Sequence, residues 1–389
     1  MSTYKQGQTL LGYEIIRKYG DGGMSDVYLA QNKDLDNWNP NKYVIIKVIK
    51  NKISKDISNG DIDQWKKAID EFKITCTLFE NTHENIVKPI KWDYSNSKVI
   101  IIYEFIDGPS LNQFIDMYKS IPVDRAMFYF KKICQGIKHF HNLNDKTTVI
   151  HRDLKPENMI LTNDLADIKI IDYGIATTFY DKNINSSEGT IYCTVDYITP
   201  DIFNLSSKNM KNNPNIDINE WKNKVITTQF DFHALGVILY YMITGEMPFE
   251  YDKEKITDAE IIRNWLKYDL KIISNSIPNI PNSIENIIFR CTASKPEDLH
   301  FRYKKIEELI DDINTWDDPK RKNEKLLKPI KKRVFQQAIT FDVEKEKEKE
   351  KFYEKWWFYI IISITVAVAL ILMIVMLVLY FTQGVFFGR

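Results

Sequence analysis

Hydrophobic and polar positions change period several times along this chain, and each change marks an element. Val44-Ile45-Ile46-Lys47 is a short apolar run ending in an ammonium, the pattern of a strand. Gln64 to Phe79 puts Trp65, Ile69, Phe72 and Cys76 at helical spacing, which predicts an amphipathic helix. Phe230 to Tyr240 is apolar almost throughout and predicts a buried helix. From Trp356 to Phe381 none of the 26 residues is charged, and Ile, Leu, Val, Met and aromatics dominate. At a helical rise of about 1.5 Å per residue that run is about 39 Å long, more than a hydrocarbon core of about 30 Å, so it predicts a membrane span. Trp356, Trp357 and Tyr359 at one end, with Tyr380 and Phe381 at the other, have the placement of interfacial anchors.

Charge refines the picture between these elements. Lys320 to Arg333 holds eight basic residues against the single acid Glu324, whereas Glu344 to Lys351 alternates strictly. Period-two alternation places like charges four apart and opposite charges three apart, so helix support largely cancels and a solvated spacer is expected. The whole chain of 389 residues balances 53 basic against 53 acidic side chains, which gives no general attraction to nucleic acid. Cys76, Cys134, Cys193 and Cys291 are scattered without a C-x-x-C pair, so neither a zinc site nor a disulfide scaffold is indicated, and a reducing compartment fits.

The chemistry concentrates in four short strings. Gly20-Asp21-Gly22-Gly23-Met24-Ser25-Asp26-Val27 follows an apolar run; glycines in such a turn let backbone N–H groups approach phosphate oxygens with no Cβ in the way. Lys47 follows at the end of its strand. His151-Arg152-Asp153-Leu154-Lys155-Pro156-Glu157-Asn158 supplies a carboxylate and an amide a few residues apart. Ile168-Lys169-Ile170-Ile171-Asp172-Tyr173-Gly174 sets a second carboxylate after an apolar strand pattern.

Taken in this order, the strings resemble the signature set of protein kinases: the glycine loop, the strand lysine, H-R-D-L-x-x-x-N and D-F-G. The Gly-Gly-Met run with Val27-Tyr28 is most like the eukaryotic-like serine/threonine kinases of bacteria, many of them single-pass membrane proteins. The resemblance implies ATP and Mg2+ or Mn2+ as cofactors, with protein Ser/Thr hydroxyls as acceptors. Asp153 becomes the base that receives the hydroxyl proton, Lys155 its serine/threonine-type companion, and Asn158 and Asp172 the metal ligands. Gly20, Asp21, Gly22, Gly23, Met24, Ser25, Val27, Lys47, Glu71 and Glu104 become nucleotide-binding residues. Glu71 is the expected helix partner of Lys47, with Asp70 and Glu80 as competitors. Two positions depart from the pattern: Ser25 replaces the third glycine and Tyr173 the phenylalanine of D-F-G. Thr194 to Asp201 resembles the end of the activation segment with aspartate for glutamate, and Arg302 is the implied partner of Asp201. Asp231, opening the apolar helix, is implied to hold the backbone of the catalytic loop.

The implied fold is α+β and two-lobed, with a small, mostly β lobe to about residue 105 and a larger helical lobe after it. A lead of residues 1–12 precedes the kinase domain at 13–316, and a charged linker at 317–355 leads to a transmembrane helix at 356–381 and a tail at 382–389. Lys345, Lys347, Lys349, Lys351 and Lys355 before the span, against Arg389 after it, orient the kinase domain to the cytoplasm at the cell membrane. The eight-residue tail is too short for a ligand-binding domain, and no N-terminal hydrophobic segment directs export. The expected partners are ATP, protein substrates, the lipid bilayer and a second copy for trans-autophosphorylation, with no nucleic acid. A membrane-anchored pseudokinase scaffold and a kinase-fold enzyme acting on small molecules are the alternative classes. The joint presence of Lys47, Asp153, Asn158 and Asp172 speaks against the first, and the protein-substrate platform at 194–201 against the second.

Overall fold

The structure, a computed structural model, describes residues 4–21, 25–36, 39–49, 75–95, 98–143, 149–172, 195–197, 199–200, 227–248, 273–275, 277 and 279–327. Six strands open the chain: β1 (Thr9–Leu10), β2 (Tyr13–Asp21), β3 (Ser25–Gln31), β4 (Tyr43–Ile49), β5 (Pro89–Ser95) and β6 (Lys98–Glu104). They form one antiparallel sheet in the order β1-β2-β3-β4-β6-β5. The period of two decides which side chain faces where. Val44, Ile46 and Val48 of β4 enter a core with Ile15, Tyr28, Ala30, Ile100 and Ile102, while Ile45 and Lys47 face the opposite side. The alternation of the folded strand thus aims the lysine out of the core.

Helices build the second lobe: α1 (Leu111–Tyr118), α2 (Val123–His141), α3 (Gln229–Thr244), α4 (Asn282–Thr292), α5 (Ile306–Asn314) and the short α6 (Pro319–Lys322). A reciprocal capping box starts α1, with Ser110 Oγ accepting the Gln113 N–H and Gln113 Oε1 accepting the Ser110 N–H. α3 is buried on all sides, as its near-continuous apolar run predicts. It packs so closely on α4 that a Cβ at Gly236 would stand 2.6 Å from Cys291 Cβ. Gly245 ends α3 at φ 72°, where an added Cβ would meet the Lys119 carbonyl oxygen at 1.5 Å, so no other residue fits that turn.

The second lobe also carries a hairpin of β7 (Met159–Leu161) and β8 (Ile168–Ile170), packed on α1 and α2. Residues 75–80 are helical, which covers the end of the helix expected over 64–79; the remainder of it lies outside the described residues. At the far end of the second lobe α6 folds back on α4 and α5. Arg321 bonds Asp312 at 2.8 Å and Glu324 at 3.0 Å, and the Asn286 side chain bonds Glu324 and the backbone of Lys325 and Leu327. Residues 319–327, which the sequence reading assigns to the linker, are therefore tied to the helical lobe. Among the described residues no helix is long and apolar enough to cross a membrane, and the run 356–381 lies outside them.

Candidate active site

The catalytic-loop string is held from below. Asp231, fully buried on α3, accepts the His151 N–H at 3.0 Å and the Arg152 N–H at 2.9 Å, and its Oδ2 lies 2.8 Å from His141 Nε2 on α2. Burial pushes the Asp231 carboxyl up, but the His141 bond, the nearby imidazoles and the Arg152 N–H outweigh it and hold the group below its ordinary value. Arg152 itself takes a left-handed φ of 70°, a strained conformation for a residue with a Cβ. The kink turns the next residue out of the core.

That residue is Asp153. Lys155 Nζ donates to its Oδ1 at 3.2 Å and its Oδ2 at 3.0 Å; Asn158 Nδ2 donates to the Asp153 carbonyl at 2.9 Å and to Oδ2 at 3.1 Å. The 3-10 turn Pro156–Asn158 brings the amide back to the carboxylate, and its proline sits at the start, where a missing N–H costs nothing. Asn158 is further tied to β8 through its carbonyl, which accepts the Ile171 N–H at 2.9 Å.

Asp172 follows directly, and its Oδ1 lies 3.1 Å from Lys47 Nζ of β4. The two come from opposite lobes, 125 positions apart. They border a cavity of about 200 Å³ whose walls include Val27, Ile45, Tyr103, Phe105, Ile106 and Ile160, with Ser25 and Glu104 among the polar groups. Apolar walls with a cation and a carboxylate at one end suit a flat heterocycle carrying an anionic tail.

Mg2+ is implied by the motif set, and the donors present fit it. Hard carboxylate and amide oxygens suit a hard cation that keeps part of its shell from substrate phosphates. With Asn158 Nδ2 turned to Asp153, Oδ1 is the atom of that amide that would face such an ion. Among the described residues there is no cluster of three or more His, Cys, Asp or Glu side chains able to hold a metal alone.

Of the sequence-predicted site residues, the structure pairs Lys47 with Asp172 at a cavity whose wall includes Ser25, Val27 and Glu104, and gathers Asp153, Lys155 and Asn158 into one hydrogen-bonded group that the Asn158 carbonyl ties to Ile171, the neighbour of Asp172. Gly20 and Asp21 end β2, where Gly20 pairs with Val27. Gly22, Gly23, Met24 and Glu71 lie outside the described residues, as do Asp70, Tyr173, Thr194 and Asp201. Glu80, the described competitor for Lys47, is exposed at the end of its helix. Arg302 bonds the Ala293 carbonyl through Nε.

Sequence reasoning passed over three supports. Lys18 Nζ stands 2.7 Å from the buried Asp26, joining β2 to β3 just below the glycine turn. Asn85, fully buried, donates to Asp167 Oδ1 at 2.7 Å and to the Ile168 carbonyl at 3.0 Å, and Lys132 of α2 reaches the same Asp167 oxygen at 3.1 Å. Lys169 of β8 pairs with Glu104 at 2.7 Å. Opposite charges flanking the glycine turn were a usable signal for the first; the other two join ordinary residues far apart in sequence.

Residues 13–325 match the family described as protein kinase domain. The chain is 31% identical over 354 residues to a Mycoplasma genitalium protein assigned as a serine/threonine-protein kinase, covering 84% of this chain and 85% of that one. A counterpart of the same assignment in Mycoplasma pneumoniae is 28% identical, with 83% and 84% covered. Serine/threonine-protein kinase PrkC of Bacillus subtilis is 28% identical over 313 residues, which are 80% of this chain and 42% of that protein. The chain belongs to the protein kinase family, in its serine/threonine class.

Proposed function

We propose that this chain is a membrane-tethered kinase that transfers the γ-phosphate of ATP to serine or threonine hydroxyls of proteins, with Asp153 as the base. The setting of Asp153 carries the reading. Its Oδ2 accepts two hydrogen bonds and its Oδ1 one, so Oδ1 is the oxygen with most room for an incoming hydroxyl and its proton. Lys155 holds a positive charge against the same carboxylate, where it both orients the base and faces the developing charge of the transferred group. Lys47, on the opposite side of the cleft, is the cation for the nucleotide phosphates. Asn158 and Asp172 are the oxygen donors for Mg2+ or Mn2+, which when bound neutralises phosphate charge. The apolar walls around Ile45 and Ile160 exclude water from the transfer.

The charge-free run Trp356–Phe381 supports a single membrane anchor, and the lysines before it support a cytoplasmic catalytic domain. Anchoring concentrates chains in two dimensions and favours trans-autophosphorylation between copies. The test is phosphate transfer by the purified full chain with ATP and magnesium. Asp172→Asn and Lys47→Met should each lower incorporation by orders of magnitude. Incorporation by Asp172→Asn equal to that of the parent chain would sink the assignment of that residue.

A further inference from the structure

We propose that Glu104 and Lys169 form a positioning pair, joining the strand beside Lys47 to the strand that leads into Asp172, and that the Glu104 carboxylate is not a nucleotide ligand. The inference rests on the reading of Asp172 as a metal ligand.

Glu104 closes β6, and its carboxylate is already committed. Oε1 accepts Lys169 Nζ at 2.7 Å and the Lys88 N–H at 2.8 Å, while the Glu104 N–H donates to the Lys88 carbonyl at 3.0 Å. Segment 85–88 is in turn zipped to β8: Val87 N–H donates to the Ile170 carbonyl at 2.8 Å, and Ile170 N–H to the Asn85 carbonyl at 2.9 Å. One carboxylate therefore gathers three pieces of chain. On the first-lobe side, β6 pairs Ile101 with Lys47 of β4, three residues before Glu104. On the second-lobe side, Asp172 lies three residues beyond Lys169.

The alternation of β8 explains why the lysine can do this. Ile168 and Ile170 are buried in the second lobe, so Lys169 emerges on the other face, towards the end of β6. About a fifth of each side chain is exposed, so the pair is shielded from solvent more than a surface ion pair. Loss of the ammonium would free β8 to shift relative to β6, and with it the distance from Asp172 to Lys47. Small displacements at a phosphoryl-transfer site are expensive, because positioning supplies most of the catalysis.

The test uses the full chain carrying Lys169→Met, Lys169→Arg, Glu104→Gln and the Glu104→Gln/Lys169→Met double change. Each is read for the magnesium concentration at half-maximal rate, for KM and kcat, and for the rise in melting temperature that Mg·ATP produces. Lys169→Met should weaken Mg·ATP binding by about tenfold in the melting-shift titration and raise the magnesium requirement. Lys169→Arg should restore both, and the double change should be no worse than the worse single one. The proposal is overturned if Lys169→Met keeps the parental magnesium dependence, if arginine rescues no better than methionine, or if the double change is additive. It is equally overturned if Glu104→Gln alone weakens ATP binding while Lys169→Met does not, the result expected of a direct nucleotide contact. Asp172→Asn runs beside the series: full activity there removes the parent reading, whatever Lys169 shows.

Discussion

Asp231 holds Arg152 through a main-chain bond of 2.9 Å, and Arg152 is the one catalytic-loop residue with a left-handed backbone among the described residues. The strain and its restraint belong together. A carboxylate with three donors around it over-determines the loop, and the loop can then hold Asp153 facing the cleft.

Removing that anchor has a definite expected outcome. Asp231→Ala strands two buried N–H groups and His141, and should cost about 3 to 5 kcal/mol of stability. Asp231→Asn is no mild substitute, since its NH2 must face a backbone donor or His141; it should cost about 1 to 3 kcal/mol and lower kcat more than it changes KM for ATP. Thermal denaturation alongside steady-state kinetics checks both, and an unshifted melting curve would refute the anchoring role.

Acid stability follows from the buried imidazoles. Burial, and behind it the charge of Arg302, push His233 from 6.5 down to about 3, and burial also lowers His151 and His83. The unfolded chain takes up these protons first, so no penalty exists above pH 6.5 and one grows as pH falls from there towards 3. Two pH units on one such histidine are worth up to about 3 kcal/mol. Asp231 adds a lower window: its carboxyl is held below 3.8, so its contribution is present above that value and lost beneath it. Urea midpoints at pH 7 and pH 4.5 should differ clearly in the parent chain and less in His233→Leu. Equal losses in the two proteins would refute the assignment to His233.

What the sequence made legible was chemistry compressed into contiguous strings. Asp153, Lys155 and Asn158 lie within one short string whose resemblance to the kinase catalytic loop implied a shared site, and Asp172 lies in a string that resembles D-F-G. The apolar run of β4 likewise marked a strand ending in Lys47, while which of its side chains face the core came only from the structure. Supports that join distant positions left no such trace. Glu104 was named as a nucleotide residue on the family resemblance alone, and nothing in the sequence pointed to the bond its carboxylate makes with Lys169, 65 positions on. Asn85 and Asp167 are 82 apart and each is unremarkable by itself. Burial converts such residues into structural necessities, and burial is not visible in a string.

Control of activity gives a third prediction. The guanidinium beside the base belongs to Arg152, and a phosphorylated residue brings nearly two negative charges and strong acceptors to such a group. Thr177, Thr178, Ser186, Ser187 and Thr190 lie in the intervening segment, outside the described residues. Mass spectrometry of active protein should find phosphate on at least one of them, and alanine at all five should lower the rate at least about tenfold. An unmodified segment together with an unchanged rate would exclude this mode of control.

Orientation in the membrane is the last expectation, and it decides whether the enzyme meets ATP. Five lysines, Lys345, Lys347, Lys349, Lys351 and Lys355, lie within eleven residues of Trp356, whereas Arg389 is the sole cation after Phe381. Basic residues flanking a span are retained on the cytoplasmic side, so the charge difference predicts that residues 1–355 lie inside. The acids between those lysines do little to offset this, because orientation follows Lys and Arg counts rather than net charge. Protease added outside intact cells or protoplasts should leave the catalytic domain whole. Exchanging the five lysines for glutamine while adding lysines after Phe381 should weaken that protection. Digestion of the parent catalytic domain from outside would overturn the orientation and, with it, the supply of ATP on which the proposed reaction depends.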